Sequence, residues 1–264
     1  MSNPRRRHPA ASLVLLFYRA FHLLHRGIQV VVEGILLGLQ PDAVADEVTE
    51  ESYGSGAAYT KRSYLDSGLQ FWEHLAVEKY FRPGSRVLVA AAGGGREVIA
   101  LARAGFTAEG FDCSRAMVAA GNAALRERGI SGNLLWAPPC QVPPLDSRYG
   151  GAIVGWNGYT YILPRARRIA FLKDLGTHLE PGSPVLISAA YGPKSLGAVW
   201  TPRIANAARR CTFREPVFED GDAFPGRRRK EFLRGQIDAE LAEAGFKLLD
   251  TYRWGPFFAV VCSS

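Results

Sequence analysis

From Arg86 onward the chain alternates short apolar runs with amphipathic stretches, and glycine or Pro-Gly punctuates nearly every change. This alternation constrains the fold most, because strands joined by helical crossovers lie parallel in one sheet with helices on its faces. Val87-Leu88-Val89-Ala90 is short, apolar and followed at once by glycines, the pattern of a buried parallel strand. The pattern then predicts a helix over Arg96–Arg103, a strand over Thr107–Phe111 with Asp112 at its tip, and a helix over Arg115–Arg128 capped by Ser114. Strands over Asn133–Ala137 and Ala152–Gly155 follow, and a helix over Arg165–Leu179 leads through Pro181-Gly182 into a strand over Pro184–Ala189. A helix over Arg229–Ala244 precedes two strands, Lys247–Tyr252 and Phe257–Cys262, joined at Gly255-Pro256 as a hairpin. Five β-α units closed by a hairpin predict an α/β, doubly wound, Rossmann-like sheet with its last strand antiparallel. Ligands of such sheets bind at the carboxyl ends of the strands.

The turn after the first strand is Ala91-Ala92-Gly93-Gly94-Gly95. Glycine there lets the backbone approach a ligand and leaves the next helix a free amino end. Asp112 follows Gly95 by 17 residues, at the tip of the second strand, where a carboxylate can accept both hydroxyls of a ribose. Together these features predict a nucleoside site. A tight turn and a helix-proximal carboxylate without a ligand is the plainer alternative. The site is not of the dinucleotide type, because Val98 stands at the last glycine of G-x-G-x-x-G and would crowd helix against strand.

The stretch Arg86 to Asn122 (RVLVAAAGGGREVIALARAGFTAEGFDCSRAMVAAGN) resembles the first two motifs of class I S-adenosylmethionine-dependent methyltransferases. Phe171 to Ser188 and Arg234 to Phe246 resemble later parts of the same family, so the likeness covers about residues 84–264. It implies a seven-stranded sheet with one antiparallel strand, and S-adenosylmethionine as the cofactor. It places Ala91, Gly93 and Gly95 around the carboxypropyl and ribose part, Asp112 on the ribose hydroxyls, and Cys113 and Met117 beside the adenine. Trp156 and Asn157 stand where the family has cofactor and substrate contacts. The chain departs from the family in three places. Val89 replaces an acid of the first strand, and Ala91 replaces a glycine. After the third strand the run is Ala137-Pro138-Pro139-Cys140-Gln141, in which Gln141 can take the hydrogen-bonding place of another acid. These departures leave open a protein of this fold that binds the cofactor without methyl transfer.

Residues 1–82 read as a helical appendage or lid on a domain spanning 83–264. Ser12 to Leu39 is strongly apolar, but Arg19, Arg26 and Glu33 interrupt it every seven residues, with His22 and Gln29 on the same side. This is an amphipathic helix rather than an uncharged membrane span. It fits packing on its own domain, a homodimer contact or peripheral membrane association. Pro41 ends it, and a polar stretch carries Tyr53, Tyr59 and Tyr64, candidate substrate contacts in a lid or ordinary surface aromatics. A further helix is expected over Leu69–Tyr80. Residues 191–228, with Trp200, Arg203, Arg209 and Arg210, form an insertion expected near the mouth of the pocket.

Methyl transfer needs aligned reactants and exclusion of water more than an acid or base. A hydroxyl acceptor would gain from a base. His74 and Tyr161 are the candidates, with a partly exposed helix histidine and core-edge packing as the alternatives. Tyr159 and Tyr161 can both face substrate from the end of the fourth strand. The 32 basic against 25 acidic residues give +7, but the arginines are scattered without stacking aromatics, so no nucleic-acid partner is expected. Cys113, Cys140, Cys211 and Cys262 form no Cys-x-x-Cys pair, and no metal site is expected. Free thiols suit a reduced, cytoplasmic protein. The sequence reading is a methyltransferase for a small, partly apolar molecule. A non-catalytic binding or membrane-docked protein is the rival of another class.

Overall fold

The computed structural model describes residues 9–54, 57–192 and 195–263. Seven strands make one sheet: β1 (Arg86–Ala90), β2 (Thr107–Asp112), β3 (Leu134–Trp136), β4 (Ala152–Val154), β5 (Pro184–Ala190), β8 (Lys247–Trp254) and β9 (Phe257–Ser263). The short β6 (Asp222–Ala223) and β7 (Arg229–Lys230) pair only with each other. The spatial order is β3-β2-β1-β4-β5-β9-β8, and β9 runs antiparallel to both its neighbours. Strand order therefore reverses between β1 and β4, which opens a crevice beyond their carboxyl ends.

Side chains of the central strands alternate between two cores, as a period of two requires. Leu88 and Ala90 of β1, Val185 and Ile187 of β5, and Val260 of β9 join α8 (Arg165–Thr177) and α10 (Gln236–Ala244) on one face. Val87, Val89, Leu186 and Val261 join α5 (Phe71–Tyr80), α6 (Arg96–Arg103) and α7 (Arg115–Glu127) on the other. The side chain of Ser114 caps α7 by accepting from the Met117 N–H. Gln70 and Glu73 form a capping box that starts α5, which fixes its first residue at Phe71.

Three expectations are corrected. The helix expected over Arg229–Ala244 begins only at Gln236, because β7 occupies 229–230 and Gly235 takes a left-handed conformation immediately before it. The polar stretch after Pro41 is largely helical: α2 (Asp42–Gly54), α3 (Ala57–Thr60) and α4 (Arg62–Leu65). Asp46 accepts from both terminal nitrogens of Arg167 at 2.9 and 2.8 Å, and Asp42 accepts from Arg228 at 2.6 Å, which pins α2 to α8 and to the segment before β7. Within the insertion, α9 (Leu196–Cys211) lies not over the pocket but against α1 (Pro9–Leu39), whereas Arg227 near the insertion's end does reach Tyr161 at the pocket. Gly34 and Gly38 let the two backbones meet, since a Cβ on Gly34 would lie 2.7 Å from Ile204 Cβ and one on Gly38 would strike the Ala205 backbone. Only this last third of α1 is packed; every residue from Leu13 to Gln29 is exposed.

Candidate functional site

The crevice at the β1/β4 reversal is an open cavity that extends from the turn after β1 to the segments following β3 and β4. Its floor is the turn after β1. Ala91, Ala92, Gly93 and Gly94 line it, with nothing within 4 Å of the place a Gly93 Cβ would occupy. Ala91 is in the left-handed region at φ 51°, a conformation that disfavours a Cβ. Gly158 accommodates that methyl by having none of its own. Ala91→Gly is accordingly expected to raise stability by about 1 kcal/mol, read as the shift in a urea midpoint at constant slope.

Asp112 is buried at the cavity wall. Its Oδ2 accepts the Gly93 N–H and its Oδ1 the Ser114 N–H, both at 2.8 Å. Burial raises its pKa against the opposing pull of those backbone donors. A carboxylate offers about four lone-pair sites, so two remain for donors from a ligand. The glycine turn thus holds the carboxylate while leaving it capacity to accept more.

A second carboxylate, Glu97 in the first turn of α6, also lines the cavity and was not singled out in the sequence. A Cβ on Gly155 would lie 3.3 Å from its Oε1 and 2.8 Å from the Ala91 carbonyl oxygen, so Glu97 sits where the ends of β1 and β4 meet. Arg96 donates to Glu97 Oε1 at 2.5 Å and, through both terminal nitrogens, to the two oxygens of Glu73 at 2.8 and 2.9 Å. All three side chains are at most 4% exposed. Two carboxylates share one guanidinium here. Burial, with the Glu73 charge adding to it, pushes the Glu97 carboxyl up to about 7 against the pull of Arg96. The signal in the sequence was a charged pair, Arg96-Glu97, set directly before Val98, Ile99 and Leu101, all three of which are buried.

Cys113, Met117, Gln141, Trp156, Asn157 and Tyr161 also line the cavity, as do Tyr59 and Tyr64, whose rings meet edge to face at 5.4 Å. Asn157 is left-handed at φ 56°, its N–H donates to Ser188 Oγ at 3.0 Å, and its buried Oδ1 has no partner among the described residues. The Tyr161 hydroxyl accepts from Arg227 at 2.8 Å. Trp156 stands at the edge of an aromatic group in which Trp72 and Trp254 stack at 3.6 Å. Thr49 of α2 and Cys140 complete the wall, and burial raises the Cys140 thiol to about 11, so it is a protonated, unreactive thiol.

Other expected site residues lie elsewhere. Gly95 does not line the cavity; it turns the chain into α6 at φ 90° and faces Leu134. Tyr159 is fully buried in the core, donating to Glu240 at 2.8 Å. Trp200 lies on the outer side of α9, and His74 is exposed on α5 beside Glu78 at 3.3 Å, because each falls on the helix face turned from the domain. The side chain of Tyr53 lies outside the described residues. Among the described residues no group of His, Cys, Asp and Glu has the arrangement of a metal site.

The sheet order, the antiparallel β9 and the crevice after β1 together decide the architecture. The chain has the class I S-adenosylmethionine-dependent methyltransferase fold. A methyltransferase of this class from Clostridium acetobutylicum superposes with TM-score 0.58 at 14% identity over 79% of this chain and 96% of its own. Magnesium protoporphyrin IX methyltransferase from Synechocystis, with S-adenosylhomocysteine bound, gives 0.54 at 18% identity over 83% and 99%. The [4+2]-cyclase SpnF also superposes, with TM-score 0.51 at 16% identity over 75% and 84%. No protein-family profile and no curated protein sequence matches the chain.

Proposed function

We propose that the protein is an S-adenosylmethionine-dependent methyltransferase acting on a small, partly apolar molecule. The observation that carries this reading is the pairing, in one cavity, of two differently used carboxylates. Asp112, with lone pairs to spare, suits ribose hydroxyls. Glu97, the carboxylate in excess over Arg96, suits the ammonium of the methionine moiety. Glu97 thereby supplies from α6 the acid that Val89 lacks in β1, and the unpartnered Asn157 Oδ1 offers a further acceptor on the same wall. Cys113 and Met117 offer a soft, apolar border for the adenine, and Gln141 of the same lining a hydrogen-bonding side chain. Bound there, S-adenosylmethionine would supply an electrophilic methyl carbon on a sulfonium, open to attack by an aligned nucleophile with S-adenosylhomocysteine as the neutral leaving group. What the chain itself does is bind, orient and exclude water. Tyr59, Tyr64, Trp156 and Tyr161 form the aromatic side of the cavity against which an apolar acceptor would lie.

Calorimetric titration with S-adenosylmethionine and S-adenosylhomocysteine tests the reading, and micromolar affinity is expected. Asp112→Ala is expected to weaken both by about tenfold or more, because two hydrogen bonds to a carboxylate are lost. Unchanged affinity would remove Asp112 from the site. A second reading, cofactor bound but not consumed, is favoured by the place of a cyclase among proteins of this fold. Labelled methyl that stays on the cofactor in the presence of substrate candidates would select it.

A further inference from the structure

We propose that α1 docks the protein on an anionic lipid surface, lying flat in the interface with its outward apolar stripe among the acyl chains. Leu13, Phe17, Leu24, Ile28, Val31 and Ile35 recur at intervals of three, four and seven residues, so they share one helix face. They are 61%, 75%, 65%, 56%, 45% and 40% exposed, and the face is turned away from α9. From Leu13 to Ile35 it runs about 33 Å at 1.5 Å per residue. A continuous apolar surface of that length, on a helix that only its last third packs against the domain, marks an interaction site rather than ordinary surface. Gly27 has nothing within 4 Å of its would-be Cβ, so the first two-thirds of the helix stands clear of the domain.

The polar face says what covers the stripe. Arg19, His22, Arg26, Gln29 and Glu33 recur at spacings of three and four on the face opposite the stripe. Gln29 donates to Glu33 at 2.7 Å, while Arg19 and Arg26 have no carboxylate partner among the described residues. The sequence adds Arg5-Arg6-Arg7 just before the helix. A basic face opposite an apolar one suits a helix in the headgroup region, where arginines stay among the lipid phosphates while the stripe sinks below them. Packing two copies together through the stripe would leave Arg19 and Arg26 on the outer faces with no anionic group to meet. A crossing orientation would bury Arg19 in hydrocarbon, at considerable cost. Through Pro41, α1 leads directly into α2, whose Thr49 lines the cavity, so the docked helix and the cavity wall are one continuous stretch of chain.

The test is flotation of the full chain with vesicles of phosphatidylcholine, with and without phosphatidylglycerol. Binding is expected only to the anionic vesicles and should weaken with salt. Arg19→Glu with Arg26→Glu should lower it by about tenfold or more, since each basic residue near such a surface counts for roughly a factor of five. Phe17→Glu with Leu24→Glu should abolish it. Thermal melting of all variants should match the parent, because these side chains touch nothing in the domain, and this holds whatever ligand the cavity takes. Failure to float with either vesicle overturns the proposal. So does a lipid-free dimer that Phe17→Glu dissociates, which would make the stripe a contact between copies. Resistance to alkaline carbonate extraction would mean that the helix crosses the bilayer instead.

Discussion

Replacing Arg96 by methionine is expected to destabilise the protein by about 3–5 kcal/mol, the usual cost of leaving a buried charge without its partner. Domains of this kind have roughly 5–15 kcal/mol in total, so much of the stability is at stake. Methionine refills the space of the arginine stem, which isolates the charge from the packing. What remains is Glu73 and Glu97 facing one another without a cation, and the Gly68 carbonyl without its 2.7 Å donor. The loss should be larger at pH 8 than at pH 5, because protonation of a carboxylate relieves the repulsion. Urea unfolding at the two pH values reads the difference. Adding Glu73→Gln and Glu97→Gln to Arg96→Met should recover most of the stability, since a neutral cluster of similar volume has no charge to strand. An equal deficit at both pH values would show that packing, not charge, is what Arg96 supplies. Glu73 stands on α5 of the N-terminal segment and Arg96 opens the helix behind the glycine turn, so this ion cluster is also what holds the appendage to the site.

The sheet was legible because its signals are local. A run such as Val87–Ala90, a glycine turn and an amphipathic stretch identify strand, crossover and helix without knowledge of the rest. Asp112, Gly93 and Asn157 could be placed for the same reason, as each sits at a strand end that the pattern itself marks. Glu97 could not. Its importance arises from a guanidinium one residue away and a carboxylate on another helix, and a helix start bearing Arg-Glu reads as solvated surface when seen alone. His74 and Trp200 failed in the opposite way: their residue types suggest function, but helical phase turns them from the domain. The stretch after Pro41 has little hydrophobic patterning because α2 is held largely by ion pairs to Arg167 and Arg228, and long-range pairing of that kind leaves no periodicity to detect. Tyr159 shows how far the ambiguity of an aromatic at a strand end extends, since Tyr161, two residues on, does reach the cavity while Tyr159 is a core residue.

Glu97→Gln separates the stability of this cluster from its proposed use. Because its pKa is pushed up to about 7 in the folded protein, above the ordinary carboxyl value of 4.5, Glu97 contributes stability that is full below about pH 4.5 and is lost as pH rises through 7. Glutamine cannot ionise, so the variant should equal the parent in thermal stability at pH 5 and exceed it at pH 8. Affinity should move the other way. If the excess carboxylate receives the cofactor's ammonium, the variant should bind S-adenosylhomocysteine about thirtyfold or more weakly, the size of effect that follows loss of one member of a buried charge pair. Proton bookkeeping gives an independent reading. Because the raised pKa favours the protonated carboxyl in the free protein and an arriving ammonium favours the ionised one, titration near neutral pH in buffers of different ionisation enthalpy should show net proton release on binding. The variant should release essentially none. Release that persists in Glu97→Gln would assign the proton to another group, and unchanged affinity would leave Glu97 as a structural partner of Arg96 alone. A variant more stable at pH 8 yet poorer at binding would show that the second carboxylate is retained in the core against the folding preference because the ligand requires it.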